Sequence, residues 1–246
     1  MKTPLVLLHG YPFDHTMWNE VIARLNCEVI APDLRGFGQT PVGDDEPSID
    51  SMADDVLQLL DERRVERAIV GGFSMGGYAG LSFAERYAHR LAGFGLINSQ
   101  VLPDTPEAQA GRRAMIDKVR REGPQAAVDA AVPKLFGKGH DGKKELVRFA
   151  IEGAQQAGVA GITWALEAMA RRPDRSSVLE KLTVPVLLIH STEDQFITLR
   201  LAQLFQEQGE QVIANLFILV TRYHLSRYWD TLKLGWAQLP VTRLGC

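Results

Sequence analysis

Cysteine is nearly missing from this chain, with two among 246 residues, Cys27 and Cys246. One stands just before a strand-like run and the other is the last residue, so a structural disulfide is not expected. No metal-ligand spacing is present either. Long apolar runs are also missing. The first, Leu5-Val6-Leu7-Leu8, is too short for a signal-peptide core. The longest later run, Val212 to Val220, falls far below the ~20 residues of a membrane span. These two absences lead to the expectation of a soluble, cytoplasmic chain with no membrane partner. An excess of one charge is lacking too: 27 Lys and Arg face 30 Asp and Glu, for a net charge of −3. That balance gives no electrostatic reason to expect a nucleic-acid partner. The doublets Arg112-Arg113, Arg120-Arg121 and Arg171-Arg172 have acids interspersed and read as solvated helix faces. Repeats, low-complexity tracts and metal, nucleotide or flavin motifs are absent, so no cofactor is expected.

What is present is apolar material in an ordered alternation. A hydrophobic content of 46% over this length suits one α/β domain with an insertion, or at most two small domains. Short β-rich runs predict strands at Leu5–Leu8, Glu28–Ala31, Ala68–Gly71, Phe94–Ile97, Val186–His190 and Val212–Val220. Between them Met17, Trp18, Val21, Ile22 and Leu25 recur at helical spacing. Met52, Val56, Leu59 and Leu60 do the same behind an N-cap at Ser48, and Tyr78–Ala88 reads as a helix opening with small residues. This alternation predicts a mostly parallel sheet flanked by helices. It stops after Ile97: from about Val101 to Leu182 only helical patterning appears, broken near Gly123-Pro124, Gly137–Gly142 and Arg172-Pro173. The expected organisation is a core of residues 1–100 and 183–246, with an all-helical lid of residues 101–182 inserted over the carboxyl ends of the strands.

The chemistry-bearing motif is Gly72-Phe73-Ser74-Met75-Gly76, between the apolar run Ala68-Ile69-Val70 and a Gly/Ala-rich helical stretch. A G-x-S-x-G pattern arises by accident in about one chain in ten of this glycine content, so its setting must decide. Here the setting is strand, sharp turn and helix, in which the serine is held clear of the sheet as a nucleophile. Small residues two positions either side relieve the crowding of that turn. A serine hydroxyl needs a base near neutral pH, and a histidine is the natural one. Six compete: His9, His15, His89, His140, His190 and His224.

His9-Gly10-Tyr11 closes the first strand, Pro32-Asp-Leu-Arg-Gly-Phe-Gly38 follows the second, the serine motif follows the third, and Asp194 lies just beyond the strand ending at His190. This order resembles the α/β-hydrolase family, in particular its compact esterase, lactonase and cofactor-free haloperoxidase-like members. The resemblance runs from Pro4 to about Asn215, and His9-Gly-Tyr-Pro-Phe-Asp-His-Thr-Met-Trp18 is similar to the family's first strand–loop–helix segment.

The resemblance implies the roles. Ser74 is the nucleophile, Asp194 the acid (with Glu193 the alternative by register), and His224 the base that completes the order Ser, acid, His. It also implies an oxyanion hole made by the backbone N–H groups of Tyr11 and Met75; Pro12 has no N–H to offer. His9 is then a structural histidine of the oxyanion loop, and Asp33, Arg35 and Gly38 set loop structure. Phe73, Met115, Phe136, Trp164, Leu166 and Met169 are candidates to line an apolar substrate pocket.

Two departures stand out. An upstream β-hairpin usual in relatives is expected to be missing. After Asn215 the run Leu216-Phe-Ile-Leu-Val-Thr221 intervenes, Tyr223 replaces a glycine, and no acidic run follows. The expected activity is hydrolysis of small carboxylic esters or lactones, of short to medium acyl length, through an acyl-enzyme. A serine rather than an aspartate nucleophile argues against dehalogenase and epoxide-hydrolase chemistry. Perhydrolysis, carbon–carbon bond hydrolysis and a ligand-binding signalling role with little turnover remain as alternatives, and oligomeric state is not readable.

Overall fold

The computed structural model describes residues 3–135, 143–191 and 216–221. Six strands form one sheet: β1 (Leu5–Leu8), β2 (Val29–Ile30), β3 (Ala68–Phe73), β4 (Leu91–Ile97), β5 (Val186–Ser191) and β6 (Leu216–Thr221). Their spatial order is β2-β1-β3-β4-β5-β6, and every neighbouring pair is parallel. β1, β3 and β4 are buried at every position. That is why they read as unbroken apolar runs rather than as alternating patterns.

The strands match the sequence expectation with shifted ends. β4 begins three residues earlier than predicted, because Gly93 looks like a breaker in sequence just before the predicted start, while Gly95 lies inside the predicted run. In the sheet they pair with Ile69 and Gly71, and ladder bonds outweigh the weak strand preference of glycine. The first part of the predicted strand 212–220 lies outside the described residues.

Helices fill the connections. A 3-10 turn, His15–Trp18, leads into α1 (Asn19–Ile22), and α2 (Ile49–Glu62) and α3 (Met75–Arg86) follow. Ser48 caps α2 as its spacing predicts, its Oγ accepting from the Asp50 N–H at 3.0 Å. Ile49, Met52, Ala53, Val56 and Leu60 form the buried stripe of that helix. Between β4 and β5 come α4 (Pro106–Glu122), α5 (Gln125–Leu135), α6 (Lys143–Ala170) and α7 (Ser176–Lys181), with no strand among the described residues of that stretch. α4 starts with Thr105 as its cap and Pro106 in its first turn, and Gly123 follows its end at φ 85°. α6 is kinked at Gly158, where φ is 64°. No helix among the described residues is long and apolar enough to cross a membrane.

One topological fact positions the site. β1 has β2 on one side and β3 on the other, so the chain reverses its winding direction there. Open parallel sheets bind ligands at such a switch point, beyond the carboxyl ends of the strands. Leu8 at the end of β1 lies level with Gly72 near the end of β3. The loops carrying Tyr11 and Ser74 therefore leave the sheet side by side.

Candidate active site

Ser74 occupies the turn between β3 and α3 with φ 50° and ψ −112°. A side chain rarely adopts that backbone, and holding it costs on the order of 1–3 kcal/mol. The surroundings explain how it is kept. A Cβ on Gly72 would overlap the backbone of Gly76, and one on Gly76 would overlap the carbonyl oxygens of Leu8 and His9. α3 thus begins against the end of β1, an approach open only to glycine. The Ser74 N–H donates to the Ile97 carbonyl at 3.0 Å. The Ser74 carbonyl accepts from the Gly77 N–H at 2.9 Å and from the Ser99 hydroxyl at 2.8 Å. Bonds on both sides of the residue fix the strained turn and leave its side chain part-exposed at the sheet edge.

The loop after β1 faces it. His9 is fully buried; its Nε2 accepts from the Leu34 N–H at 2.8 Å and its Nδ1 lies 3.2 Å from the Gly10 carbonyl. These partners require a neutral ring with the proton on Nδ1. Burial drives its pKa down to about 4, against smaller opposing contributions from the Gly10 carbonyl and Asp33. His9 is therefore a strut between two loops, as expected, and its only free-base nitrogen is already occupied. Gly10 sits against the Phe73 ring, which would collide with a Cβ there. The Phe13 N–H returns to the Gly10 carbonyl at 2.8 Å, across a cis Tyr11–Pro12 peptide. Among the described residues, no acceptor meets the backbone N–H of Tyr11 or of Met75. Two unengaged donors beside a serine are what a developing oxyanion needs.

The loop after β2 braces this pair. Asp33 accepts from the backbone of His15 and of Gln39, each at 2.9 Å, and from the His15 ring at 2.6 Å. Burial alone would raise its pKa, but these bonds hold it below the ordinary carboxylate value. Gly38 has φ 52° and abuts the Asp33 carboxylate, while Arg35 makes a two-pronged pair with Asp55 at 2.9 and 2.7 Å. All three fill the loop-setting roles expected of them. Asp14, His15 and Asp33 lie close enough to hold a cation among them. Their hydrogen bonds, including that from the Thr16 N–H to Asp14 at 2.8 Å, already account for the grouping.

Other candidates scatter. His89 is exposed on a 3-10 turn at Ala88–Arg90, and His190 is buried within β5. Phe73 is buried at the end of β3 beside Gly10. Trp164 is on α6, its indole N–H donating to the Asp45 carbonyl at 3.1 Å beneath the Arg35 guanidinium. It lines a cleft of about 470 Å³ with Val42, Pro47, Ile116 and Thr163, and none of Ser74, Tyr11 or Met75 borders that cleft. Phe136, His140, Asp194 and His224 lie outside the described residues.

Two of the basic doublets correct the sequence reading. Arg172 is only 5% exposed and pairs with Asp104 at 2.5 Å, and Arg112 is half-buried against the same carboxylate. Sequence gave no signal of this, because a doublet on a helix end shows its charge but not which member turns inward. Arg113, Arg120, Arg121 and Arg171 are exposed, as expected.

The comparisons with known proteins agree with this geometry. The description "Alpha/beta hydrolase family" belongs to a family profile matching residues 5–226. The 3-oxoadipate enol-lactonase 1 of Acinetobacter baylyi is 27% identical over 225 residues, covering 90% of this chain and 82% of that protein. A malate-bound thermophilic esterase from Thermogutta terrifontis superposes with a TM-score of 0.83 at 31% identity, over 96% of this chain and 87% of the other. The enol-lactonase of Burkholderia xenovorans gives a TM-score of 0.82 at 26% identity, over 99% and 91%. With a strained serine at the switch point of a parallel sheet and a family match spanning nearly its whole length, the chain belongs to the alpha/beta hydrolase family.

Proposed function

We propose that this protein is a serine hydrolase of small carboxylic esters or lactones. The observation that carries the reading is the Ser74 turn at φ 50°, set beside the unengaged N–H groups of Tyr11 and Met75. The names borne by its relatives, esterase and enol-lactonase, point to the same bond type.

Ser74 Oγ attacks the substrate carbonyl carbon while its proton passes to a histidine. The carbonyl oxygen becomes an oxyanion that accepts from Tyr11 and Met75, donors fixed by backbone and needing no rearrangement. Collapse breaks the carbon–oxygen bond, and the leaving alcohol takes the proton. Water, deprotonated by the same histidine, then attacks the acyl-enzyme and releases the acid and free Ser74. His224 is the base in this reading and Asp194 orients it. Support comes from chain order: Asp194 lies three residues past the end of β5 and His224 three past the end of β6, and parallel strands finish at one edge of the sheet.

The helices between β4 and β5 act as the cap. Their contact with the site is close, since Gly153 of α6 meets the Pro12 carbonyl and Phe149 stacks on Phe13 at 5.5 Å. That packing against the loop of Tyr11 leaves little room for a long acyl chain, so short to medium acyl groups are expected.

The test is turnover of a short-chain nitrophenyl ester by wild type, Ser74→Ala and His224→Ala, with circular dichroism to verify folding. Loss of at least about a thousandfold in both folded variants is expected. Loss in Ser74→Ala alone would remove His224 from the mechanism.

A further inference from the structure

We infer that Ser99 is a positioning residue for the reaction: its hydroxyl, bonded to the Ser74 carbonyl, aims and strengthens the Met75 N–H as an oxyanion donor. This role rests on the hydrolase reading above and belongs to a side chain that acts through a peptide group, without touching the substrate. Ser99 follows the end of β4 and is only 2% exposed. It reaches Ser74 by way of a second strained turn. Asn98, between Ile97 and Ser99, has φ 40°, and its N–H donates to the Ile189 carbonyl of β5 at 2.8 Å. Asparagine tolerates that conformation better than most residues. Phe73 and Ile97 pair at the ends of β3 and β4, so the strained residues Ser74 and Asn98 leave the sheet side by side. The Ser99 Oγ then donates to the Ser74 carbonyl at 2.8 Å.

That carbonyl is one side of a rigid unit. A trans peptide is planar, and its C=O and the following N–H point in opposite directions. The Ser74–Met75 peptide therefore carries the Ser74 carbonyl on one side and the Met75 N–H on the other. The carbonyl accepts from the Gly77 N–H at 2.9 Å and from the Tyr78 N–H at 3.3 Å, both in the first turn of α3. It points into the helix, so the Met75 N–H points out of the helix end, where it meets no acceptor among the described residues. Any tilt of the carbonyl tilts that N–H equally. The Ser99 bond is the shortest of the three on this oxygen and, among the described residues, the one that comes from outside α3. A carbonyl bonded in this way is polarised, and the N–H across its peptide becomes a stronger donor.

The competing role for Ser99 is a simple tie between β4 and α3. Space there is tight, since a Cβ on Gly77 would overlap the Ser99 side chain. The fold does not depend on the hydroxyl, however. Without it the Ser74 carbonyl keeps its bonds from Gly77 and Tyr78, so no buried acceptor is orphaned. Its loss falls on the direction and strength of the Met75 N–H instead. Removing an oxyanion donor outright costs about 10²–10³ in kcat, and weakening one through its own peptide should cost about tenfold.

The experiment measures hydrolysis of 4-nitrophenyl acetate by wild type, Ser74→Ala, Ser99→Ala, Ser99→Cys and Ser82→Ala. Cysteine refills the space of Ser99 with a weak donor, which separates hydrogen bonding from packing. Ser82 is another buried hydroxyl of α3, and it donates to Asp50 at 2.6 Å. Its removal loosens the helix away from the Ser74–Met75 peptide. Both Ser99 variants are expected to lower kcat by about tenfold with KM within about twofold of wild type. Inhibition by 1,1,1-trifluoroacetone, whose carbonyl adds the serine oxygen to give a tetrahedral oxyanion, should weaken by a similar factor. Ser82→Ala should lower Tm and keep the wild-type kcat. A wild-type kcat in either Ser99 variant overturns the inference, as does an equal loss in Ser82→Ala or a loss of kcat without weaker inhibition. In each of those cases turnover by wild type, and none by Ser74→Ala, leaves the hydrolase reading standing. Wild-type turnover no greater than that of Ser74→Ala brings down both.

Discussion

The Ser74 turn and the helical stretch from α4 to α7 are held in place by different means. At the turn, backbone presses on backbone, and Gly72 and Gly76 exist because no Cβ fits between α3 and the ends of β1 and β3. The helical stretch is tied down by charge. Arg172 pairs with Asp104, and Arg175 bonds Asp50 of α2 at 2.5 Å and Glu85 of α3 at 3.0 Å. Its glycines at 111, 123 and 158 have open space where a Cβ would go, and among its described glycines only Gly153 and Gly161, where α6 crosses the loops of Pro12 and Gly36, press on backbone. Geometry fixed by backbone contact tolerates no added atom, whereas geometry fixed by long side chains tolerates many changes away from the ion pairs.

The sharpest way to break that contrast is Gly76→Ala. The new methyl meets two backbone carbonyls, which have nowhere to retreat without separating α3 from β1. A loss exceeding about 4 kcal/mol is expected, a large share of a typical domain's 5–15 kcal/mol. Thermal melts followed by circular dichroism should show no cooperative transition at the wild-type temperature. A melt within a few degrees of wild type would mean that the helix is not pinned by contact.

On the charged side, Asp104→Asn keeps the shape and removes the single carboxylate shared by Arg112 and Arg172. Breaking a buried pair from one side typically costs about 3–5 kcal/mol, and about 3 is expected here because Arg112 retains access to water. Urea denaturation should show a lower midpoint at unchanged slope. A midpoint matching wild type would mean that the helices are held by apolar packing alone.

Acid titration probes the loops beside the Ser74 turn, at His9. Its pKa falls from 6.5 to about 4 on folding, so the unfolded chain binds the extra proton between those values. The stabilisation is complete above pH 6.5 and drains away as pH drops toward 4, by at most about 3 kcal/mol. The lowered Asp33 and Asp104 carboxyls add further loss only below the ordinary carboxylate range. Stability measured by urea melts from pH 7.5 to 4 should fall through this window. A flat profile would mean that His9 takes up a proton as readily in the folded chain as in the unfolded one, giving up the bond from the Leu34 N–H at no cost.

These differences also explain what was legible in the amino-acid order. The turn was readable because steric exclusion leaves glycine at fixed distances from Ser74, and the parallel sheet because burial on both faces writes continuous apolar runs. The capping role of Ser48 was readable for a similar local reason. Arg112 and Arg172 were misread as solvated, since an inward-turned arginine and an outward one differ only in what lies across from them. Asp104, some seventy residues from Arg172 in the chain, carries no local mark of that pairing. Tyr11 was assigned a role through its backbone, and the burial of its hydroxyl depends on folding that no spacing encodes.

The smallest effect is the most discriminating, because it uses the same substitution with opposite sign. Gly111 lies within α4, exposed, with nothing near the position of a Cβ. Alanine there narrows the unfolded ensemble and fits the helix, so a gain of about 0.5–1 kcal/mol is expected. For a chain of this size that is a rise of about 1–4 °C in Tm. Gly158 also has free space, yet its φ of 64° is unfavourable for alanine, so Gly158→Ala should lower stability unless α6 straightens. Gly153, where a Cβ would come within 2.6 Å of the Pro12 carbonyl, should cost more still and disturb the loop carrying Tyr11. One methyl group placed at these three positions therefore separates propensity, backbone conformation and contact. Only the variant that touches the loop carrying Tyr11 should change kcat along with Tm; equal kcat in all three would mean that this contact of α6 does not shape the proposed site.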